Sequence, residues 1–192
     1  MKNLIKNHIK EHIQTISLID ECMQDQIVSI SESMIKTLKK NKTIFWCGNG
    51  GSSSDSQHLA AELIGRFNHD RKALRSISLT ADSSVLTCIA NDYNFENIFS
   101  RQIEALGNTE DVLIGISTSG NSQNIVNVLK KSKRMGLTTI GLLGKGGGKS
   151  LALCDKSLVI PSNITARIQE SHILIGHILC DLIEDGLNLK SI

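Results

Sequence analysis

Four polar residues combine types and spacings that could move a proton or hold a metal ion. They are His58 and Glu62, four residues apart, and Gln169 and His177, eight apart. A four-residue step places His58 and Glu62 on one face of a helix. Imidazole and carboxylate are ordinary ligands for zinc and similar divalent ions, and a glutamine carbonyl is a weaker one. The same two groups can take and return protons. Plainer readings stand beside these: His58 and Glu62 as an exposed i,i+4 pair, and His177 as a hydrogen-bonded core histidine. On one straight helix Gln169 and His177 lie about 12 Å apart. They therefore reach one ion only at full stretch, or belong to sites placed differently or completed by another subunit. Gly176 removes side-chain bulk beside His177.

Two loops have the chemistry of an anion site. Gly48-Asn49-Gly50-Gly51-Ser52-Ser53-Ser54 and Ser117-Thr118-Ser119-Gly120-Asn121-Ser122 each follow a short apolar run. The second offers the hydroxyls of Ser117, Thr118, Ser119 and Ser122, and Gly120 permits a tight turn. A helix with Ile125, Val128 and Leu129 on its inner face follows at once. Its first amides have no partner within the helix, so hydroxyls and helix N-terminus together can cradle a phosphate without lysine. The plainer reading is an ordinary N-cap. Gly-x-Gly-x-x-Gly fails in the first loop, where Ser53 replaces the third glycine and no acid follows at the required distance. Gly144 to Ser150 resembles a P-loop but has Leu143 where the first glycine belongs, and reads as a flexible turn.

The elements that position these residues follow from periodicity. Residues 3–40 carry apolar side chains at three- and four-residue steps, which predicts a long amphipathic helix or a helix pair, packed on its own domain or on another subunit. Five short apolar runs follow: 43–47, 74–79, 111–116, 138–143 and 157–160. Helical stretches separate most of them, which predicts a parallel sheet with helices on its faces. Pro161 closes the fifth strand, and a long helix runs from about Thr165 to Leu187. Ligands of such sheets bind outside the carboxyl ends of the strands, where both loops lie. No internal repeat or second domain is visible, so residues 1–192 read as a single domain: a helical segment, 1–40, then sheet core and C-terminal helix, 41–192.

Composition removes other classes of function. The chain is 40% hydrophobic, 21% charged and 3% aromatic, with a formal charge of +2. Few aromatics and no basic stripe argue against nucleic acid. Lys39-Lys40-Asn41-Lys42 reads as a solvated helix end. No window approaches the ~20 apolar residues of a membrane span, and the N-terminus lacks the apolar stretch of a signal peptide. Five cysteines without Cys-x-x-Cys spacing are expected to be mostly buried thiols in a reducing cytosol.

Taken together, Asn49-Gly50-Gly51-Ser52, His58-x-x-x-Glu62, Asn91-Asp92, the Ser117–Ser122 loop, and Gln169 with His177 resemble the phosphoheptose isomerase family of sugar-isomerase (SIS) domains. The resemblance covers essentially the whole chain. It implies an α/β SIS-type fold with a five-stranded parallel sheet, N-terminal helices and a long C-terminal helix. It implies an aldose–ketose isomerase that converts sedoheptulose 7-phosphate into D-glycero-D-manno-heptose 7-phosphate through an enediol. That reaction opens the route to ADP-heptose type precursors of lipopolysaccharide core or surface glycans. It further implies a cytoplasmic homotetramer with active sites between subunits and one Zn2+ per subunit. On this resemblance the metal ligands are His58, Glu62, Gln169 and His177, and Glu62 and His177 form the catalytic pair. The substrate-binding residues are Asn49, Gly50, Gly51, Glu62, Asn91, Asp92, Ser117, Thr118, Ser119, Ser122 and Gln169, with Arg66 a weaker candidate. Other SIS domains bind sugar phosphates in regulators, and a relative serves as a replication-initiator adaptor. A non-catalytic protein of that kind has no evident need for the His58, Glu62, Gln169 and His177 quartet.

Overall fold

The chain, described over residues 1–189 by a computed structural model, forms five short strands. These are β1 (Ile44–Gly48), β2 (Ser76–Ser78), β3 (Val112–Ser117), β4 (Thr138–Gly144) and β5 (Lys156–Ile160). All pairs are parallel, in the order β2-β1-β3-β4-β5. The helices are α1 (Lys2–Ser17), α2 (Glu21–Lys39), α3 (Gly51–Ile64), α4 (Ser83–Asp92), α5 (Ser100–Leu106), α6 (Gln123–Arg134), α7 (Gly148–Leu151) and α8 (Thr165–Gly186). The expected α/β fold with N-terminal helices and a long C-terminal helix is what the chain adopts.

The strands alternate their side chains between two apolar layers. On one face Ile44, Trp46, Ile114, Ile140 and Leu142 pack against Ile30 and Met34 of α2, Leu59 and Leu63 of α3, and Ile175 and Leu179 of α8. On the other, Phe45, Cys47 and Leu113 pack against Ile89, Ile103, Ile125 and Leu129 of α4, α5 and α6. Alpha helices thus cover both faces, as an all-parallel sheet requires.

The N-terminal helical stretch is a pair because Asp20 starts a new helix: its carboxylate accepts the Met23 N–H at 2.9 Å. α1 is fastened to α8 by Arg167, which bonds Glu170, Glu11 and the His8 carbonyl, and by His12 against Glu170 at 2.7 Å. Beside these contacts α1 carries open apolar side chains: Leu4, Ile5, Ile9 and Ile13 are each more than half exposed.

Four details differ from the sequence reading. β2 pairs only over Ser76–Ser78, so Leu74 and Arg75 lie outside the edge strand. Asp111 precedes β3 instead of opening it. Its buried carboxylate accepts the Thr43 and Asn108 N–H groups at 2.8 and 2.7 Å. Of the cysteines only Cys47 and Cys180 are buried, and Cys22 and Cys88 are exposed. The glycine-rich segment after β4 is a 3-10 turn running into α7, docked on the neighbouring loop instead of flexing in solvent. Lys40 lies at the end of α2, as expected, and forms an ion pair with Glu110.

Candidate active site

β1 and β3 are neighbours, yet the chain leaves β1 toward β2 on one side and β3 toward β4 on the other. A crevice opens where connections diverge in this way, at the carboxyl ends of the two strands. Both serine-rich loops lie there. They are tied to each other by Asn49 and Asn124, whose amides exchange two hydrogen bonds of 2.9 and 2.8 Å. Asn124 is buried, and its Oδ1 also accepts the Ile125 N–H at 2.9 Å, so α6 fixes it.

The second loop is a tight, self-bonded turn. The Ser117 hydroxyl accepts the Gly120 N–H and the Ser119 hydroxyl accepts the Asn121 N–H, each at 3.1 Å. Both hydroxyls keep a proton to donate outward. Ser122 stands at the N-cap of α6 but makes no capping bond, so its hydroxyl and the Gln123 and Asn124 amides are available to a ligand, the Ile125 amide being taken by Asn124. The glycine turn after β4 and α7 itself wall the loop. Ser150 N–H donates to the Gly120 carbonyl at 2.9 Å, and Lys149 N–H to the Asn121 side chain at 3.1 Å. Gly120 has φ of +62°, and a Cβ there would collide with the Gly147 carbonyl. Glycine is needed at this position for conformation and for room.

The titratable residues meet where α3 and α8 run side by side. His58 Nε2 is 3.1 Å from Glu62 Oε1 and 3.5 Å from His177 Nε2. The two helices touch through Gly176, where a Cβ would lie 2.6 Å from the Leu59 side chain. Gly176 therefore acts by closing the helix crossing that brings His177 to His58. One donor atom from each of His58, Glu62 and His177 lies within 4.8 Å of the others. Donor atoms of a tetrahedral ion bound at about 2.0–2.1 Å sit roughly 3.3 Å apart, so the trio has the spacing of a metal-binding set with a fourth position left over. Phe67 stacks on the His177 ring, with centroids 5.5 Å apart and planes inclined by 24°. Asp55, one turn before His58, has a buried Oδ2 without a hydrogen-bond partner among the described residues. Burial pushes its carboxyl pKa up, against the pull of His58.

Gln169 lies at the other end of the shared helix face, against the first loop: a Cβ on Gly51 would be 2.5 Å from its Nε2. Gly50, with φ of +57°, and Gly51 open that loop's helix. Asn91 and Asp92 end α4 on the exposed surface, where Asn91 donates to Asp92 at 2.8 Å. Among the described residues neither hydrogen-bonds to the two loops. Arg66, just past α3, is exposed.

The family model for the SIS domain matches residues 7–144. The phosphoheptose isomerase of Clostridium acetobutylicum is 53% identical over 189 residues, covering 97% of this chain and 96% of that protein. Phosphoheptose isomerase 1 of Campylobacter jejuni is 54% identical over 186 residues, covering 97% and 100%. The phosphoheptose isomerase structure from Neisseria gonorrhoeae superposes with a TM-score of 0.91 at 40% identity, covering 96% of this chain and 98% of that one.

The chain belongs to the phosphoheptose isomerase family of SIS-domain proteins.

For a phosphoheptose isomerase family member, the sequence reading named the loops and the His58, Glu62 and His177 trio but missed their supports. Asn124 is an ordinary helix residue until its partner across the crevice is known. Phe67 and its neighbours in 65–71 have no periodicity to mark them. His172 lies on the buried side of α8, where its Nε2 donates to the Leu143 carbonyl at 3.1 Å, a contact that no local sequence pattern marks.

Proposed function

We propose that this protein interconverts sedoheptulose 7-phosphate and D-glycero-D-manno-heptose 7-phosphate. The observation that carries this reading is the convergence of His58, Glu62 and His177 on one point. It occurs in a chain that shares 53% of its residues with a phosphoheptose isomerase over nearly its full length. Such convergence has a use in carbonyl transposition and none evident in a protein that only binds.

The cradle of Ser117, Thr118, Ser119 and Ser122 with the α6 amides takes the phosphate. Asn49, Gly50, Gly51, Asn91, Asp92 and Gln169 contact the sugar chain. Holding the tail converts binding energy into orientation of the reacting end. Glu62 removes the proton from C1 of the ketose. The C–H electron pair becomes the C1–C2 double bond, and the C2 oxygen takes a proton from His177. His177 then accepts the proton of the C1 hydroxyl, and Glu62 returns its proton to C2. The aldehyde forms at C1, and both residues end in their starting states. His58, Glu62, Gln169 and His177 are the ligands we assign to one Zn2+ per subunit, which when bound would polarise the carbonyl; Glu62 and His177 can carry protons only if their bonds to the metal are labile.

The assembly we propose is a homotetramer with active sites between subunits. The open apolar face of α1 supports it, as do the exposed positions of Asn91 and Asp92, which a second copy can bring to the cradle. The reaction belongs to the cytoplasm and supplies ADP-heptose type precursors for lipopolysaccharide core or surface glycans. Among the described residues no helix is long and apolar enough to cross a membrane. Incubation with sedoheptulose 7-phosphate and chromatographic separation of ketose and aldose phosphates tests the activity. Formation of the aldoheptose phosphate supports the reading, and an unchanged ketose in the presence of zinc opposes it.

A further inference from the structure

The segment 65–71, between α3 and β2, has no helix or strand, yet it is among the most heavily bonded parts of the molecule. Its organiser is a fully buried ion pair. Glu184 of α8 accepts the N–H groups of Phe67, Asn68 and His69, each at 3.1 Å, and Arg71 Nε at 2.9 Å. Arg71 in turn donates to the carbonyls of Glu62 and Leu63, at 2.8 Å each, and of Gly65 at 3.2 Å. Three consecutive amides wrapped on one carboxylate fix a loop's conformation, and the arginine fixes where α3 stops. A buried ion pair adds little net stability over an apolar core, so its use here is geometric.

The geometry leads to the trio. Arg71 bonds the backbone of Glu62, and the loop that Glu184 grips carries Phe67 onto the His177 ring. Glu184 and His177 share α8, so carboxylate, loop, phenyl ring and imidazole close a circuit on one rigid helix. We propose that Glu184 and Arg71 are positioning residues: through Phe67 they hold the His177 imidazole in the plane that turns Nε2 toward His58 and Glu62. This rests on the reading that His177 works in the reaction.

The test uses full-length protein with 15N- and 13C-labelled histidine, stripped of metal for NMR and zinc-loaded for kinetics. In the parent protein the stacked phenyl ring displaces the His177 ring protons upfield. In Glu184→Gln and in Phe67→Leu we expect that displacement to be lost. We expect kcat to fall at least tenfold with KM within twofold, because the phosphate cradle is built on α6. Phe67→Tyr keeps the ring and is expected to retain both the shift and kcat within twofold. Leu129→Ala, on the opposite face of the sheet, is the control for general loss of stability and is expected to leave the His177 signals in place.

Folded Glu184→Gln with parent His177 signals overturns the proposal, as does a lost signal with kcat unchanged. If Glu184→Gln does not fold, the Phe67→Leu and Phe67→Tyr pair decides it by the same criteria. A parent protein that stacks Phe67 on His177 but does not turn over the heptulose phosphate contradicts the proposed function, and with it the catalytic purpose of the clamp. The NMR arm alone still decides whether the clamp orients the ring.

Discussion

Asn49 and Asn124 bridge the switch point of the sheet by two reciprocal amide bonds, 2.9 and 2.8 Å long, that lock the two anion loops into one frame. Asn124→Leu leaves the Asn49 amide without its partner at a semi-buried position. The expected loss is about 1–3 kcal/mol of stability. As the loops lose register, KM for sugar phosphate should rise roughly tenfold, equivalent to about 1.4 kcal/mol of binding. Urea unfolding and steady-state kinetics check both. Unchanged KM would show that the bridge does not set the cradle.

Gly51→Ala tests the contact between the first loop and Gln169. The new methyl group would stand 2.5 Å from Gln169 Nε2, the far end of a flexible side chain. The side chain can move aside, so stability should fall by less than about 1 kcal/mol. Gln169 should nonetheless leave its place, raising KM. A crystal structure of the variant and its kinetics would show whether displacement and weaker binding occur together.

His172 gives the fold an acid-sensitive element. Burial lowers its pKa to about 4, against the support of the Leu143 carbonyl. The folded state keeps it neutral while the unfolded chain binds a proton below about pH 6.5, so stability is lost as pH falls from 6.5 toward 4. The full effect of such a shift is on the order of 3 kcal/mol. His172→Gln should show a smaller decrease in unfolding free energy between pH 7 and pH 4.5 than the parent protein. Equal decreases would remove His172 as the source.

The spacing of His58, Glu62 and His177 predicts stabilisation by metal. Zinc at about 100 times its dissociation constant should add roughly 2.7 kcal/mol. The thermal midpoint of metal-stripped protein should therefore rise on adding Zn2+, and His58→Ala should abolish most of the rise. Equal shifts in both proteins would place the ion elsewhere.

Much of this arrangement was legible in the sequence, for physical reasons that also explain the omissions. Buried parallel strands need near-continuous apolar runs, and such runs announced β1, β3 and β4. His58 and Glu62 declared themselves because a helix turns four-residue spacing into proximity. The contact of His58 with His177 spans 119 positions and depends on Gly176 admitting Leu59, which no local pattern encodes. Asn124 and Glu184 were missed for the same reason: each is defined by a partner on another element. The glycine-rich segment after β4 misled because glycine signals freedom in sequence. Here it permits close packing against Gly120.

The most direct measurement follows sedoheptulose 7-phosphate by NMR in deuterated water with the zinc-loaded parent protein and with Glu62→Gln side by side. The account predicts aldoheptose 7-phosphate from the parent protein. From the variant it predicts at least a hundredfold slower formation, the scale of a lost acid–base group, with sugar-phosphate binding retained. A folded Glu62→Gln protein that forms the aldose at the parent rate would contradict it.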